Sequence, residues 1–239
     1  MKQKILYSLL VLLTLPLLSR AHGYWMDIKG SGKIHQPVRI QICYGEIDEY
    51  SVRRREKGEE LPFSGDFKVR IIDEEGKITS LPLRPLSDCW EAVFTPAKKG
   101  TYQILASNDV LPVVDRSKTG GKNVRPIDYL CAAYQVESSS SISKPIQFLD
   151  IITYTKGDLT IVKAFKNGKA VPDIKLRIFN PDNWEKELTT NENGEATFAA
   201  LRKGLYIIRQ DWIDPTPGMH KNISYTGIRH RCNYCLYVK

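Results

Sequence analysis

The strongest constraint on this chain is a period. From His22 onward, short runs of Val, Ile, Tyr, Phe and Thr recur between Gly, Pro, Asn and Asp. Apolar residues at helical spacing are nearly absent. Such a chain folds as β-strands, because alternation puts successive side chains on opposite faces of a sheet. The expected class is all-β. In the first half, strands are expected at about 22–28, 37–45, 66–73, 77–83, 89–94, 101–107 and 126–136. In Val38–Glu46, Val38, Ile40, Ile42 and Tyr44 alternate with Arg39, Gln41, Cys43 and Gly45, which predicts one buried and one exposed face. Asp73-Glu74-Glu75-Gly76 reads as a hairpin turn.

Ser138-Ser139-Ser140-Ser141 and then Pro145 break the composition. A second set of strands is expected at about 147–154, 158–166, 174–180, 185–190, 195–199, 204–211 and 227–238. Asn167-Gly168 is a hairpin signal. The organisation expected is two tandem β-sandwich units. An immunoglobulin-like sandwich spans 22–137, a linker 138–146, and a second sandwich 147–239. In the second, Thr189 to Phe198 followed by Gly204-Leu205-Tyr206-Ile207-Ile208 resembles prealbumin-like or carboxypeptidase-regulatory-like modules. Three segments stand outside the strands: Asp48 to Glu60, Val113 to Asn123, and Trp212 to Tyr225. The first mixes Arg53, Arg54 and Arg55 with acids and is expected to be a solvated loop or short helix with local ion pairs.

Residues 1–21 have the pattern of a secretory signal: Lys2 and Lys4, an apolar run from Ile5 to Leu18, then Ser19-Arg20-Ala21. The run is short for a membrane span, which takes about 20 residues. No later stretch is long and apolar enough to cross a membrane, so export to the periplasm as a soluble protein is expected. Without the bases in 1–21, 32 bases face 27 acids. That excess is too mild for a nucleic-acid binder. Cys43, Cys89, Cys131, Cys232 and Cys235 make an odd count, which leaves at least one unpaired. Any two of Cys43, Cys89 and Cys131 are candidates to bridge neighbouring strands, and the connectivity is open. Cys232 and Cys235 lie in one expected strand, three residues apart, and so point to opposite faces. That disfavours a redox or zinc pair.

No H-E-x-x-H, G-x-S-x-G, phosphate loop or dinucleotide fingerprint is present, so metal binding ranks above catalysis. Cleavage after Ala21 would leave His22 with a free α-amine beside its imidazole, a nitrogen pair that suits Cu(II) or Ni(II). His230 shares a strand face with Cys232, Tyr234, Leu236 and Val238, at the edge of the core. It is either a ligand or a core-edge residue hydrogen-bonded to backbone. His220 lies in a loop with freedom to reach a metal, and His35 lies in an exposed turn. Glu46 and Asp27 are candidate oxygen ligands.

Ala21-His22-Gly23-Tyr24-Trp25-Met26 resembles the "A-H-x-x-W-L" start of a bacterial periplasmic family of NikM-like nickel-transport-complex proteins. Val38 to Glu46 is similar to that family's "V-x-V-x-x-x-x-G-E" strand, and Gly204 to Ile208 and Tyr225 to Val238 to its C-terminal half. Val124 to Leu130 is also similar. The resemblance implies export, β-sandwich units and a part in uptake of nickel or cobalt. It places His22, Trp25, Glu46 and His230 at matching positions. The expected metal residues are therefore His22, His230, His220 and Glu46, for nickel or cobalt with copper as an alternative. A membrane transporter component is the expected partner. Competing readings are a copper-dependent monooxygenase-like enzyme and a carbohydrate- or protein-binding β-sandwich module.

Overall fold

A computed structural model describes residues 22–47, 53–138 and 144–239. The expected signal at 1–21 and most of the Ser-rich linker lie outside these residues. The chain is all-β. In the first half the strands are β1 (His22–Lys29), β2 (Val38–Glu46), β3 (Arg54–Arg55), β4 (Lys68–Ile72), β5 (Ile78–Leu81), β6 (Arg84–Pro85), β7 (Trp90–Phe94), β8 (Gly100–Asn108) and β9 (Val124–Val136). The second half holds β10 (Leu149–Lys156), β11 (Leu159–Lys166), β12 (Lys169–Ala170), β13 (Lys175–Phe179), β14 (Glu185–Thr189) and β15 (Glu195–Phe198). It ends with β16 (Gly204–Asp214), β17 (Gly218–His220), β18 (Ile223–Tyr225) and β19 (Gly227–Val238).

These strands form three layers. The middle layer is an eight-stranded sheet in the order β14-β13-β16-β19-β9-β8-β4-β5. One outer layer is β1-β2-β7-β6 with β3 on the edge of β2; the other is β10-β11-β12 with β15 on β11. Alternation along the middle strands feeds two separate cores. Tyr102, Ile104, Leu130, Ala132, Phe179, Ile207 and Cys235 pack toward β1 and β2. Leu105, Tyr129, Cys131, Leu176, Ile178, Ile208, Cys232 and Tyr234 pack toward β10 and β11. A sheet buried on both faces needs apolar residues at consecutive positions, and Ile207-Ile208 supplies them.

The middle sheet takes strands from both halves of the chain. Their seam is β9 beside β19, a parallel pairing in the register Gly227↔Val124 to Tyr234↔Cys131. The two halves are thus continuous in one sheet. Each half turns into it by the same device. The Tyr102 hydroxyl donates to Lys98 O (2.9 Å), and the Tyr206 hydroxyl accepts from Arg202 N–H (2.9 Å). In each corner a glycine with positive φ, Gly100 (137°) or Gly204 (126°), precedes the tyrosine by two residues.

Several loops differ from expectation. β16 runs on to Asp214, and β17 with β18 forms a hairpin, so Trp212–Tyr225 is largely strand rather than loop. Asn191–Gly194 carries the chain from β14 in the middle layer to β15 in an outer one; it is a corner between sheets. Arg54 and Arg55 form β3 rather than a solvated loop or helix. Arg53 donates to Leu205 O (3.1 Å) and Asn180 O (3.2 Å), and Arg55 to Asp27 (2.6 Å) and Gln41 (2.9 Å). The triplet therefore fastens an outer sheet to the middle one. β2 has no broadly exposed face: Gln41 and Cys43 are buried along with Ile40 and Ile42.

Candidate metal centre

β1 and β2 pair antiparallel, and the register sets His22 directly opposite Glu46 and Gly23 opposite Gly45. Opposed positions bring side chains on one face to within about 4.5–5.5 Å at Cβ. His22 Nε2 lies 3.4 Å from Glu46 Oε1 and 3.1 Å from Glu56 Oε2. Each of the three residues offers one donor atom, and these atoms lie within 4.8 Å of one another. Among the described residues it is the one such cluster of three or more His, Cys, Asp or Glu.

Glu56 comes from the segment beyond β3, and Gly45 is the reason it arrives. Gly45 has φ 150°, and a Cβ built there would sit 2.0 Å from Arg54 O. Only glycine lets the β3 backbone come this close. Glu56 N–H then donates to Tyr44 O (2.9 Å), which fixes the start of the Glu56 side chain beside His22. Gly23 plays a lesser part: its added Cβ would meet Ile47 Cδ1 at 2.8 Å and Arg209 Nη2 at 3.2 Å. The outer edge of β1 is tied to the middle sheet. Met26 N–H donates to Cys235 Sγ (3.2 Å), and Asn233 Nδ2 donates to Tyr24 O (2.7 Å).

The three residues differ in burial: the His22 and Glu56 side chains are partly exposed, and Glu46 is not. Glu46 is 5% exposed. The His22 ring lies against Tyr44, with ring centroids 5.3 Å apart. Burial and a hydrogen bond to Glu60 push the Tyr44 phenol well above the usual tyrosine range, so it remains a neutral wall. The Arg209 guanidinium, itself 1% exposed, lies just beneath Gly23. Two carboxylates around one imidazole nitrogen make a donor set for a divalent metal.

The other residues expected at a site lie elsewhere. His230 is half boxed by aromatic rings, with centroids 4.3 Å from Phe148, 5.5 Å from Trp212 and 6.0 Å from Tyr129. Its Nδ1 is 3.1 Å from the Tyr129 hydroxyl. Burial pushes its pKa below the usual histidine value, with Arg125 and Lys166 adding to that and Asp214 opposing it. His230 thus sits at the core edge with a tyrosine hydroxyl, rather than backbone, beside its Nδ1, and it is not in the His22 group. His220 ends β17, opposite Ile223 in the hairpin, and is also outside the group. Asp27 is occupied by Arg55 at 2.6 Å and by Lys29 at 3.6 Å. His35 is exposed in a turn at φ 56°.

Neither a family model nor a curated protein matches this chain. What the site can do follows from its donor atoms. An imidazole nitrogen with two carboxylate oxygens is a mixed set that takes borderline divalent ions. Glu46 was legible in the sequence as the acid ending β2. Glu56 was not, because its role depends on β3 folding back onto Gly45.

Proposed function

We propose that this is an exported periplasmic protein that binds a divalent transition metal and assists its uptake or handling. Nickel or cobalt is the first expectation and copper the alternative. The observation that carries the reading is the convergence of His22, Glu46 and Glu56, with donor atoms within 4.8 Å. The resemblance of the segment Ala21 to Met26 and of Val38 to Glu46 to nickel-transport-complex proteins supports the choice of metal. Cleavage after Ala21 would add the His22 α-amine as a second nitrogen on the same residue. The metal is cargo in this reading, passed on to a membrane transporter component. Among the described residues no helix is long and apolar enough to cross a membrane.

Native mass spectrometry of the exported protein with Ni(II), Co(II) and Cu(II) tests the reading and also reports where the chain starts. Titration calorimetry of His22→Ala completes it. One ion held by the parent and lost from the variant is the expected result; an unchanged dissociation constant in the variant refutes the site. A copper monooxygenase needs a second histidine at the ion, and His230 stands in its own aromatic box. Reductant-dependent peroxide production by the copper-loaded protein would restore that reading.

One observation favours a second reading, a carbohydrate-binding module. A cleft of about 1300 Å³ lies along β1 and the ends of β9, β10 and β19, lined by Tyr134, Tyr154, Tyr237, Arg53, Arg55 and Asp158. Aromatic walls with a few polar groups suit a sugar. Retention on a glycan array in the presence of chelator supports this second reading.

A further inference from the structure

The five cysteines fall into two close pairs and one residue with a different partner; Cys131 stands opposite Tyr234 in the parallel seam and meets Cys232 diagonally. Cys131 on β9 and Cys232 on β19 have their sulfurs 3.4 Å apart. Both are buried on the face of the middle sheet that packs against β10 and β11. The second pair follows from register. β2 and β7 pair antiparallel up to Ile42↔Trp90, so the next step sets Cys43 opposite Cys89. Their thiols hydrogen-bond to each other, and both residues are fully buried. Cys235 points to the opposite face from Cys232, and its sulfur accepts the Met26 N–H at 3.2 Å.

We propose that the folded protein carries two disulfides, Cys43–Cys89 and Cys131–Cys232, with Cys235 remaining a thiol. The first staples β2, the strand that ends in Glu46, to its neighbour in the outer sheet. The second staples the β9–β19 seam, where the two halves of the chain meet.

Each bond forms by thiol–disulfide exchange with an oxidised dithiol or oxidised glutathione. A thiolate attacks the oxidant's S–S bond and gives a mixed disulfide. The neighbouring cysteine then displaces the oxidant's remaining sulfur. Overall two protons and two electrons leave each pair, and the oxidant's S–S becomes two thiols. The thiolate is the attacking form, and the environment differs between the pairs. A hydrogen bond from Cys43, aided by Arg55, holds Cys89 below the usual thiol range, whereas its bond to Cys89 and burial push Cys43 up. Burial pushes both Cys131 and Cys232 up. An oxidising compartment supplies such oxidants.

The test is cysteine mapping of the full chain, both exported into an oxidising compartment and refolded in a reduced and oxidised glutathione buffer. Free thiols are alkylated in denaturant and the peptides are identified by mass. The expected result is two linked peptide pairs, Cys43 with Cys89 and Cys131 with Cys232, and alkylation at Cys235 alone. Five alkylated cysteines in the folded protein, or any bridge that includes Cys235, overturns the proposal. A Cys131→Ala/Cys232→Ala double variant provides an independent reading. It keeps the Cys43–Cys89 link and melts lower than the oxidised parent by about 5–15 °C. The same melting temperature in oxidised parent and double variant also overturns the proposal. None of these measurements reads metal binding, so a failure here leaves the metal site standing.

Discussion

Gly45 is the residue on which the assembly of the proposed metal centre turns, and Gly45→Ala isolates it. At φ 150° any L side chain is strained, at a cost of about 1–3 kcal/mol. The new Cβ meets Arg54 O at 2.0 Å, a backbone atom that no rotamer change can move. β3 must therefore withdraw by more than an ångström. That breaks the Glu56 N–H to Tyr44 O bond of 2.9 Å, and a net hydrogen bond is worth about 0.5–1.5 kcal/mol. The two terms together predict a loss of about 1.5–4.5 kcal/mol, read by chemical denaturation. The withdrawal also takes the Glu56 carboxylate away from His22, now 3.1 Å distant. Affinity for Ni(II) or Co(II), read by calorimetry, should fall by at least about 10–100-fold, the range for losing an outer-shell partner of a ligand, because here a proposed ligand itself is withdrawn. Gly76→Ala is the control: it too has positive φ, at 83°, but nothing lies within 4 Å of its added Cβ. It should cost some strain and leave affinity unchanged. A Gly45→Ala protein with parental metal affinity would falsify the claim that β3 delivers Glu56 to the site.

Three further predictions follow from other residues. Glu56→Gln should weaken metal binding about as much as Gly45→Ala while leaving stability within about 1 kcal/mol, because it removes charge and keeps the backbone; calorimetry and denaturation together separate the two effects. Glu91 is 2% exposed and accepts from Arg84 (2.7 Å), Arg39 (3.0 Å) and Gln41 (3.1 Å). The Arg84 hydrogen bond, with Gln41 and Arg39, holds its carboxyl below the usual range, so its stabilisation is present above about pH 4.3 and is lost as pH falls through the depressed value. Glu91→Gln should cost about 1–3 kcal/mol at neutral pH and much less in acid, and an equal loss at both pH values counts against the clamp. His230 has its folded pKa lowered by burial, so the stability it contributes is complete above about pH 6.5 and declines as pH falls below that. His230→Phe should flatten stability between about pH 5 and 7, and an unchanged pH profile there refutes the assignment.

How much of this was legible follows from the range of each signal. Strand positions were readable because alternation is local: Val38 to Glu46, Leu159 to Lys166 and Gly227 to Val238 fold where the pattern places them. Turn chemistry was local too. Asn167 and Gly168 take positive φ, 49° and 72°, as a tight hairpin requires. The pairing of β9 with β19 was not legible, because strands about a hundred residues apart carry no mutual signal in a single sequence. The Arg53–Arg55 triplet misled for a related reason. Charge beside charge reads as a solvated surface, yet Arg53 finds backbone carbonyls at Leu205 and Asn180 on strands far along the chain. Of the site, His22 and Glu46 were visible as the ends of two adjacent strands; Glu56 depended on a backbone approach that only the folded Gly45 reveals.

The placement of the site also explains why its residues are spread as they are. His22 begins β1, an edge strand of an outer sheet, and an edge strand with a ligand at its very end would fray. Three contacts oppose this. Asn233 and Cys235, both on the seam strand β19, hold Tyr24 and Met26, and Arg209 packs beneath Gly23. Arg209 in turn donates from Nε to Asn233 Oδ1 at 3.1 Å, so the residue that anchors β1 is itself fixed by the middle sheet. The first half of the chain supplies the donor atoms, and the second half supplies the rigid edge that keeps them together. Truncation before β10 should therefore abolish metal binding even though His22, Glu46 and Glu56 all remain. A truncated chain that still binds the ion would show that the outer sheet holds its own geometry.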